Sequence, residues 1–317
     1  MRTRAVRLAW ILVLAWVVAA CSPTPSAPVL PSPAPSTEVS RPPAASQDCS
    51  NATQSYKPGK LVAPDKIPDD STMGAIRERG RLVAAVSADT YLLGARNPST
   101  GTIEGFDIDL VKALSTALFG TPDRYELRVI TAADRISVLQ DKEVDVVIRA
   151  FTMTCERWDE VAFSAVYFEA GQKVLVRTGS GLTSLDDLKG RKVCAPNGTS
   201  SITNFERQVP DAEIVAAVDH TGCLVRFQKG QVDAITGDDT VLAGLAAQDP
   251  YAEILDGEPF SSEPYGIGVN ADQVDLVKFI NAKLDRMRGN GEWQASYDRW
   301  LKPALGDATP PKSQYGR

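Results

Sequence analysis

The chain has 317 residues, with 34 basic and 40 acidic side chains and a net charge of −6, so it carries no cationic surplus for a nucleic-acid partner. One histidine and five cysteines, none in the C-x2-C spacing of a zinc site, argue against a bound metal, and nothing calls for another cofactor.

The first seven residues hold Arg2, Arg4 and Arg7 and no acid, and Leu8 to Ala20 is apolar throughout. That run is too short to span a bilayer comfortably and fits the core of a signal peptide over residues 1–20. It ends in VAAC, which resembles the lipobox of bacterial lipoproteins, in which the cysteine, here Cys21, is lipidated. An ordinary secretory signal with an incidental cysteine is the competing reading. The segment SPTPSAPVLPSPAPSTEVSRPP, within residues 21–48, is dense in proline, serine and alanine and reads as an extended tether. The chain is therefore expected outside the cytoplasm, anchored to the cell membrane through Cys21. Removal of residues 1–20 leaves 31 basic against 40 acidic side chains, a net of −9. Four cysteines then remain, and in an oxidising compartment they read as disulfides. Three pairings are possible; the favoured one is Cys194–Cys223 within one lobe and Cys49–Cys155 tying an N-terminal arm (49–79) to the body.

STMGAIRER predicts a short helix capped by Ser71, and RLVAAV a strand. In GFDIDLVKALSTALFG, Ile108, Leu110, Val111, Leu114 and Leu118 share one helical face, and Gly120 stops the helix. YELRVI predicts a strand, ADRISVLQDKE a helix and VDVVIRAF a strand. The second half repeats the pattern: strands at KVLVR, KVCAP, AEIVAAV, VDAITG and YGIGVN, and helices at TSLDDLKG, SSITNFERQ, HTGCLVRFQKG and DTVLAGLAAQ. Two amphipathic helices close the chain. Alternation of this kind implies parallel sheets covered by helices. QDKEVDVVIRAFTMT and QKGQVDAITGDDT share a design, a V-D pair opening an apolar strand with a polar exit, which suggests two α/β lobes of similar build. Ligands of such sheets sit beyond the carboxyl ends of the strands.

The polar exits supply the candidate site. Arg157 can grip a carboxylate with two parallel hydrogen bonds, and Thr152 and the backbone after Arg149, at Ala150, can add donors. Gly198, Thr199 and Ser200 precede a helix whose first amides suit an anion. Asp238 suits an ammonium group. Each has a plainer alternative: a surface arginine, or ordinary helix capping by serine, threonine or aspartate. Together they describe a site for one small zwitterion that rejects molecules lacking either charge. Met153 and Phe151 read as core, and His220 as a surface residue.

Over residues 78–302 the sequence resembles the family-3 solute-binding proteins, which bind polar amino acids for ABC importers. GFDIDL resembles the family signature, with Ser115 where a small apolar residue is usual. TMTCER resembles the T-x-T-x-x-R segment, which implies that Arg157 takes the α-carboxylate with Thr152 beside it. NGTSS resembles the G-T-x-S loop, implying Thr199 and Ser200 as further donors. ITGDD resembles the strand end whose aspartate takes the α-ammonium, here Asp238. GEWQASYDRWL resembles the closing segment. The overall likeness is to glutamine/glutamate-binding lipoproteins, including Cys155, Cys194 and Cys223. TAADRISVLQ resembles a segment of glutamate/aspartate binders whose arginine, here Arg135, faces the ligand's side-chain carboxylate. Arg149 is a second candidate for that role, and Asp89 and Tyr91 are expected on the near wall.

The resemblance implies an α/β fold of the two-lobed periplasmic-binding-protein type (type II), with the ligand cleft between lobes. Lobe 1 would take residues 80–170 and 265–302, lobe 2 residues 171–264, with crossings near Phe168–Lys173 and Phe260–Tyr265 and a flexible tail over 303–317. The expected function is capture of an amino acid, glutamate or aspartate favoured and glutamine or asparagine possible, by a monomer that delivers it to an ABC-transporter permease. Signalling to a membrane sensor is the alternative. An extracytoplasmic dehydratase is a remote third reading, since no nucleophile–base pair stands out.

Overall fold

The computed structural model describes residues 50–317, which belong to one compact unit. Cys21, Cys49, the signal peptide and the tether lie outside the described residues. Helix α1 (Thr72–Arg79) starts as expected, with Ser71 Oγ accepting the Gly74 N–H at 3.0 Å. It leads into β1 (Leu82–Val86), a hairpin of β2 (Asp89–Thr90) and β3 (Gly94–Arg96), and β4 (Ile103–Glu104), which completes a small three-stranded sheet. Helix α2 (Phe106–Phe119) ends at Gly120, whose φ of 81° is left-handed and suits glycine. Then come β5 (Tyr125–Val129), α3 (Ser137–Gln140), β6 (Val146–Val147), α4 (Cys155–Trp158) and β7 (Ala162–Phe163). The helix expected across ADRISVLQDKE is broken into a 3-10 turn at Ala133–Arg135 and the short α3.

The ten-residue β8 (Phe168–Arg177) enters the second lobe, followed by β9 (Lys192–Pro196), α5 (Ser200–Gln208), β10 (Glu213–Ala217), α6 (His220–Gln228), β11 (Ala234–Asp238), α7 (Asp239–Ala246) and β12 (Ala252–Ile254). β13 (Ser261–Tyr265) returns to the first lobe, where β14 (Gly268–Val269), α8 (Val274–Asn290), α9 (Glu292–Trp300) and α10 (Lys302–Leu305) complete the chain. The sheets run β5-β1-β6-β14-β7 and β10-β9-β11-β8-β12, with β13 also paired to β8.

The sheets are mixed rather than wholly parallel. β1, β5 and β6 are parallel, as are β9, β10 and β11, but β14 runs against β6 and β7, and β8 against β11, β12 and β13. β8 and β13 form the two crossings and lie side by side from Phe168↔Tyr265 to Gln172↔Ser261. Parallel strands can be joined only through a covering element, whereas these two segments pass directly between lobes.

β1 is apolar at every position because both faces of its sheet are covered. Leu82, Ala84 and Val86 join the core under α2, α8 and α9, and Val83 and Ala85 join a second cluster with Leu139, Val147, Phe151 and Phe163. The repeated V-D pair has the same job in each lobe. Asp145 accepts the Val83 N–H at 2.7 Å and Asp233 accepts the Lys192 N–H at 2.8 Å, so each carboxylate closes the open start of a neighbouring parallel strand.

Residues 303–317, expected to be a flexible tail, are held against the body. Tyr315 forms a bridge with Ser55 and donates to Asp285 at 2.8 Å, and the Arg317 guanidinium lies 3.9 Å from the Trp158 ring centre. Cys194 and Cys223 form the expected disulfide between β9 and α6. Cys155 is also disulfide-bonded, and the Cys49 end of the pairing expected for it falls outside the described residues.

The 194–223 bridge closes a loop with a sequence separation of 29, for which loop entropy implies about 3.5 kcal/mol. Replacing both cysteines by alanine should lower unfolding free energy in urea by roughly that amount. An unchanged midpoint would refute the estimate.

Candidate ligand-binding site

The two crossing strands bring the carboxyl ends of β6 and β11 to face each other. Between them lies a narrow pocket. Seven of the residues singled out from sequence line it: Arg135, Arg149, Ala150, Thr152, Thr199, Ser200 and Asp238. Thr90, Ala132, Ser201, His220 and Val241 complete the wall.

Arg157, on α4, does not line this pocket but lies beside it, against two residues at its edge. Its Nη1 donates to the Thr152 carbonyl at 2.6 Å and its Nη2 to the Gly198 carbonyl at 3.2 Å, while the guanidinium sits 5.0 Å from the Phe151 ring centre. Arg135 stacks on the same ring at 4.6 Å. Its Nε donates to Ala132, its Nη1 to Ala150 and its Nη2 to Gly198, at 2.8, 2.9 and 2.8 Å. Most of its donors therefore serve backbone carbonyls, one of them across the cleft. Two guanidinium groups converge on the single neutral oxygen of Gly198, a concentration of donors that an anionic acceptor would satisfy better.

The plainer readings of the opposite wall do not hold. Thr199 occupies the N-cap of α5 but makes no side-chain cap bond; its hydroxyl donates to the Pro196 carbonyl at 2.7 Å. The first amides of this nine-residue helix are therefore not capped by that side chain, and the helix start, at Thr199, Ser200 and Ser201, lines the pocket. The Ser200 hydroxyl donates to Glu263 at 2.6 Å and lies 3.3 Å from the Thr152 hydroxyl across the cleft. Asp238 likewise makes no cap bond to α7. Its Oδ2 accepts from Tyr265 at 2.6 Å, and its Oδ1 is buried with no partner. Burial first, then the negative charge of Glu263, push its carboxyl up to about 8.

Three expectations change. Ala150 lines the pocket but does not supply a free donor: its N–H donates to Asp107 Oδ2 at 3.2 Å, and it holds a left-handed φ of 41° that is uncommon for alanine. Asp89 lines a neighbouring, more open pocket together with Asp134, Asp219 and Arg149. Tyr91 lines neither pocket and is 47% exposed, because the turn after β2 sends its side chain outward and lays its carbonyl on α7.

His220 was missed, because a helix-start histidine after an exposed strand end gives no apolar signal. Its Nε2 is buried without a partner beside Gly237, while its other ring nitrogen engages the Thr236 carbonyl. Burial and the nearby Arg149 push it down to about 4, so the ring is neutral and Nε2 faces the pocket as an acceptor. The GFDIDL motif also finds its reason here. Asp107, buried in the first turn of α2, accepts from Tyr167 and from Ala150, bracing the strand exit from behind.

The family model for bacterial extracellular solute-binding proteins, family 3, matches residues 82–303. The chain belongs to that family. It is 39% identical over 232 residues to an ABC transporter glutamine-binding protein of Bacillus subtilis, covering 73% of this chain and 85% of that one. A glutamine-binding protein of Geobacillus stearothermophilus is 41% identical over 232 residues, with 73% and 88% covered. Among solved structures, a solute receptor for L-cysteine from Neisseria gonorrhoeae superposes with a TM-score of 0.71 at 26% identity, over 74% of this chain and 96% of that one. The family shares the two-lobed α/β architecture described here, and relatives whose names carry different amino acids share it too.

An acid raised from 3.8 to about 8 binds more protons folded than unfolded between those values, so its contribution to stability falls as pH rises through that window. Asp238→Asn should remove this dependence. The variant should gain on the wild type between about pH 4 and pH 8, by on the order of a few kcal/mol at the upper end. Chemical melts at pH 4, 6 and 8 check this; parallel curves for both proteins would contradict it.

Proposed function

We propose that the protein captures a polar amino acid between its lobes and delivers it to an ABC-transporter permease. The observation that carries the reading is one pocket lined by Asp238, whose Oδ1 is a buried acceptor without a partner, by Arg135 and by the uncapped start of α5, with the Arg157 guanidinium beside it on Gly198. An α-ammonium suits Asp238 and an α-carboxylate the other groups. The names of the relatives support the amino-acid class and the transporter partner.

Within that class the balance of charge supports glutamine over the acids favoured by the sequence reading. Arg135 and Arg149 both line the pocket, which suits a side-chain carboxylate. Arg135, however, spends most of its donors on carbonyls, and Arg149 feels the opposing charges of Asp89, Asp107, Asp219 and Asp134. The neutral His220 offers an acceptor, which an amide N–H can meet and a carboxylate cannot. Glutamate is the second reading, carried by the two arginines. Residues 1–20 as signal, Cys21 as lipid anchor, the monomeric state and the choice of permease over sensor belong to the same proposal. Cell fractionation of Cys21→Ala tests the anchor: release from the membrane fraction is expected, and retention would count against it.

Calorimetric titration with glutamine, glutamate, asparagine and aspartate tests the ligand. Glutamine is expected to bind most tightly, with a dissociation constant on the order of micromolar; tighter binding of the acids would return the assignment to them. Arg157→Ala should weaken binding by about a hundredfold or more with unchanged circular dichroism. Asp219→Asn keeps the α6 cap, since its side-chain oxygen can still accept the Gly222 N–H, but removes one charge facing Arg149. It should shift preference toward glutamate several-fold; an unaltered ratio would mean that this charge plays no part in selection.

A further inference from the structure

Lobe 2 meets lobe 1 on either side of the pocket at a glycine. On one side a Cβ placed on Gly198 would lie 2.6 Å from Ala133 Cα, and the three nearest atoms all belong to Ala133. On the other, a Cβ on Gly244 would lie 2.6, 3.3 and 3.4 Å from the carbonyl oxygen, carbonyl carbon and Cβ of Tyr91. Ala133 and Tyr91 belong to lobe 1, so the nearest crowding at each glycine comes from the opposing lobe. Gly198 has a φ of +72°, a conformation that itself favours glycine. Gly244 sits within α7 with no such need, and there alanine is the better helix former by about 1 kcal/mol. A helical glycine whose three nearest neighbours all belong to the other lobe has its reason in the contact between lobes rather than in the helix itself. The contact is backbone against backbone, so it cannot be relieved by swinging a side chain. Thr221 Oγ1, donating to the Asp89 carbonyl at 3.5 Å, belongs to the same seam.

We propose that Gly244 sets how far the lobes close, and so how tightly the ligand is held, by presenting a stretch of α7 without a side chain to the Tyr91 backbone. This deepens the ligand-binding reading and rests on it for the affinity, though not for the closure. In an open form the two backbones part and an added methyl meets nothing from lobe 1. Gly244→Ala therefore penalises the closed form selectively. Ligand that bridges both lobes gains its contacts only in that form, so affinity falls with the closed population.

Gly289, in α8, has nothing within 4 Å of an added Cβ and provides the matched control. Fluorophores on the exposed Arg124 and Lys229, one on each lobe, report interlobe distance. Wild type, Gly244→Ala and Gly289→Ala would be followed without ligand, with glutamine, with glutamate and with a mixture of the twenty amino acids. In wild type a short-distance population is expected with ligand. Gly244→Ala should lose most of it and bind about tenfold or more weakly, the size of an overpacked contact, while melting no lower than wild type without ligand. Gly289→Ala should match wild type in distance and affinity. Equal closure and affinity in Gly244→Ala overturn the proposal, as does a lower melting temperature, which would mean the site is packed within its own lobe. A single distance in wild type under every condition also overturns it. Closure of wild type on an amino acid other than glutamine would revise the ligand and leave the role of Gly244 standing.

Discussion

Charge is taken out of water at one seam between two sheets, and the rest of the structure answers to that. Arg135 and Asp238 are buried within one pocket, Arg149 lies beside them and Arg157 beside the pocket. Ions in such a place are costly unless each finds partners. Backbone carbonyls of residues 132, 150, 152 and 198 take up the guanidinium donors, and Tyr265 takes one oxygen of Asp238. Supplying those carbonyls dictates local geometry, including the left-handed Ala150 braced by Asp107 and the broken helix at Ala133–Arg135. What is left over is specific: one carboxylate oxygen and one imidazole nitrogen without partners, and helix amides without a side-chain cap.

That remainder links recognition to motion. The donors and acceptors sit on both lobes, and Arg135 and Arg157 already reach across to Gly198. A small ligand spanning the same gap adds contacts that exist only when the lobes are together, which is how binding energy becomes a shift in conformation. The depth of approach is then a matter of volume, decided where the two backbones meet without side chains.

The order of elements was readable from periodicity because the lobes obey local rules: Ser71 and Gly120 mark helix ends, and β1 is apolar throughout because helices cover both its faces. The place of Thr199 and Asp238 in the pocket wall was readable because each stands at a strand exit or a helix start. His220 was not readable, since what makes it neutral and turns it to the pocket is burial between Gly237, Thr236 and Arg149. Tyr91 and Asp89 were misjudged because a tight turn after β2 decides where side chains point, and a one-residue change of phase puts Thr90 rather than its neighbours on the pocket wall.

The sequence by itself determined the strand and helix order and the residue types able to hold a zwitterion. These depend on side-chain identity and short-range spacing, which the chain carries wherever it goes. Tertiary structure decided that the crossing strands run antiparallel, that the C-terminal segment docks on the N-terminal arm, which arginines keep free donors, and that Gly198 and Gly244 face the opposite lobe. Those outcomes depend on distances between residues far apart in the chain, where burial sets the value of a charge and the presence of a single Cβ sets how closely two backbones approach.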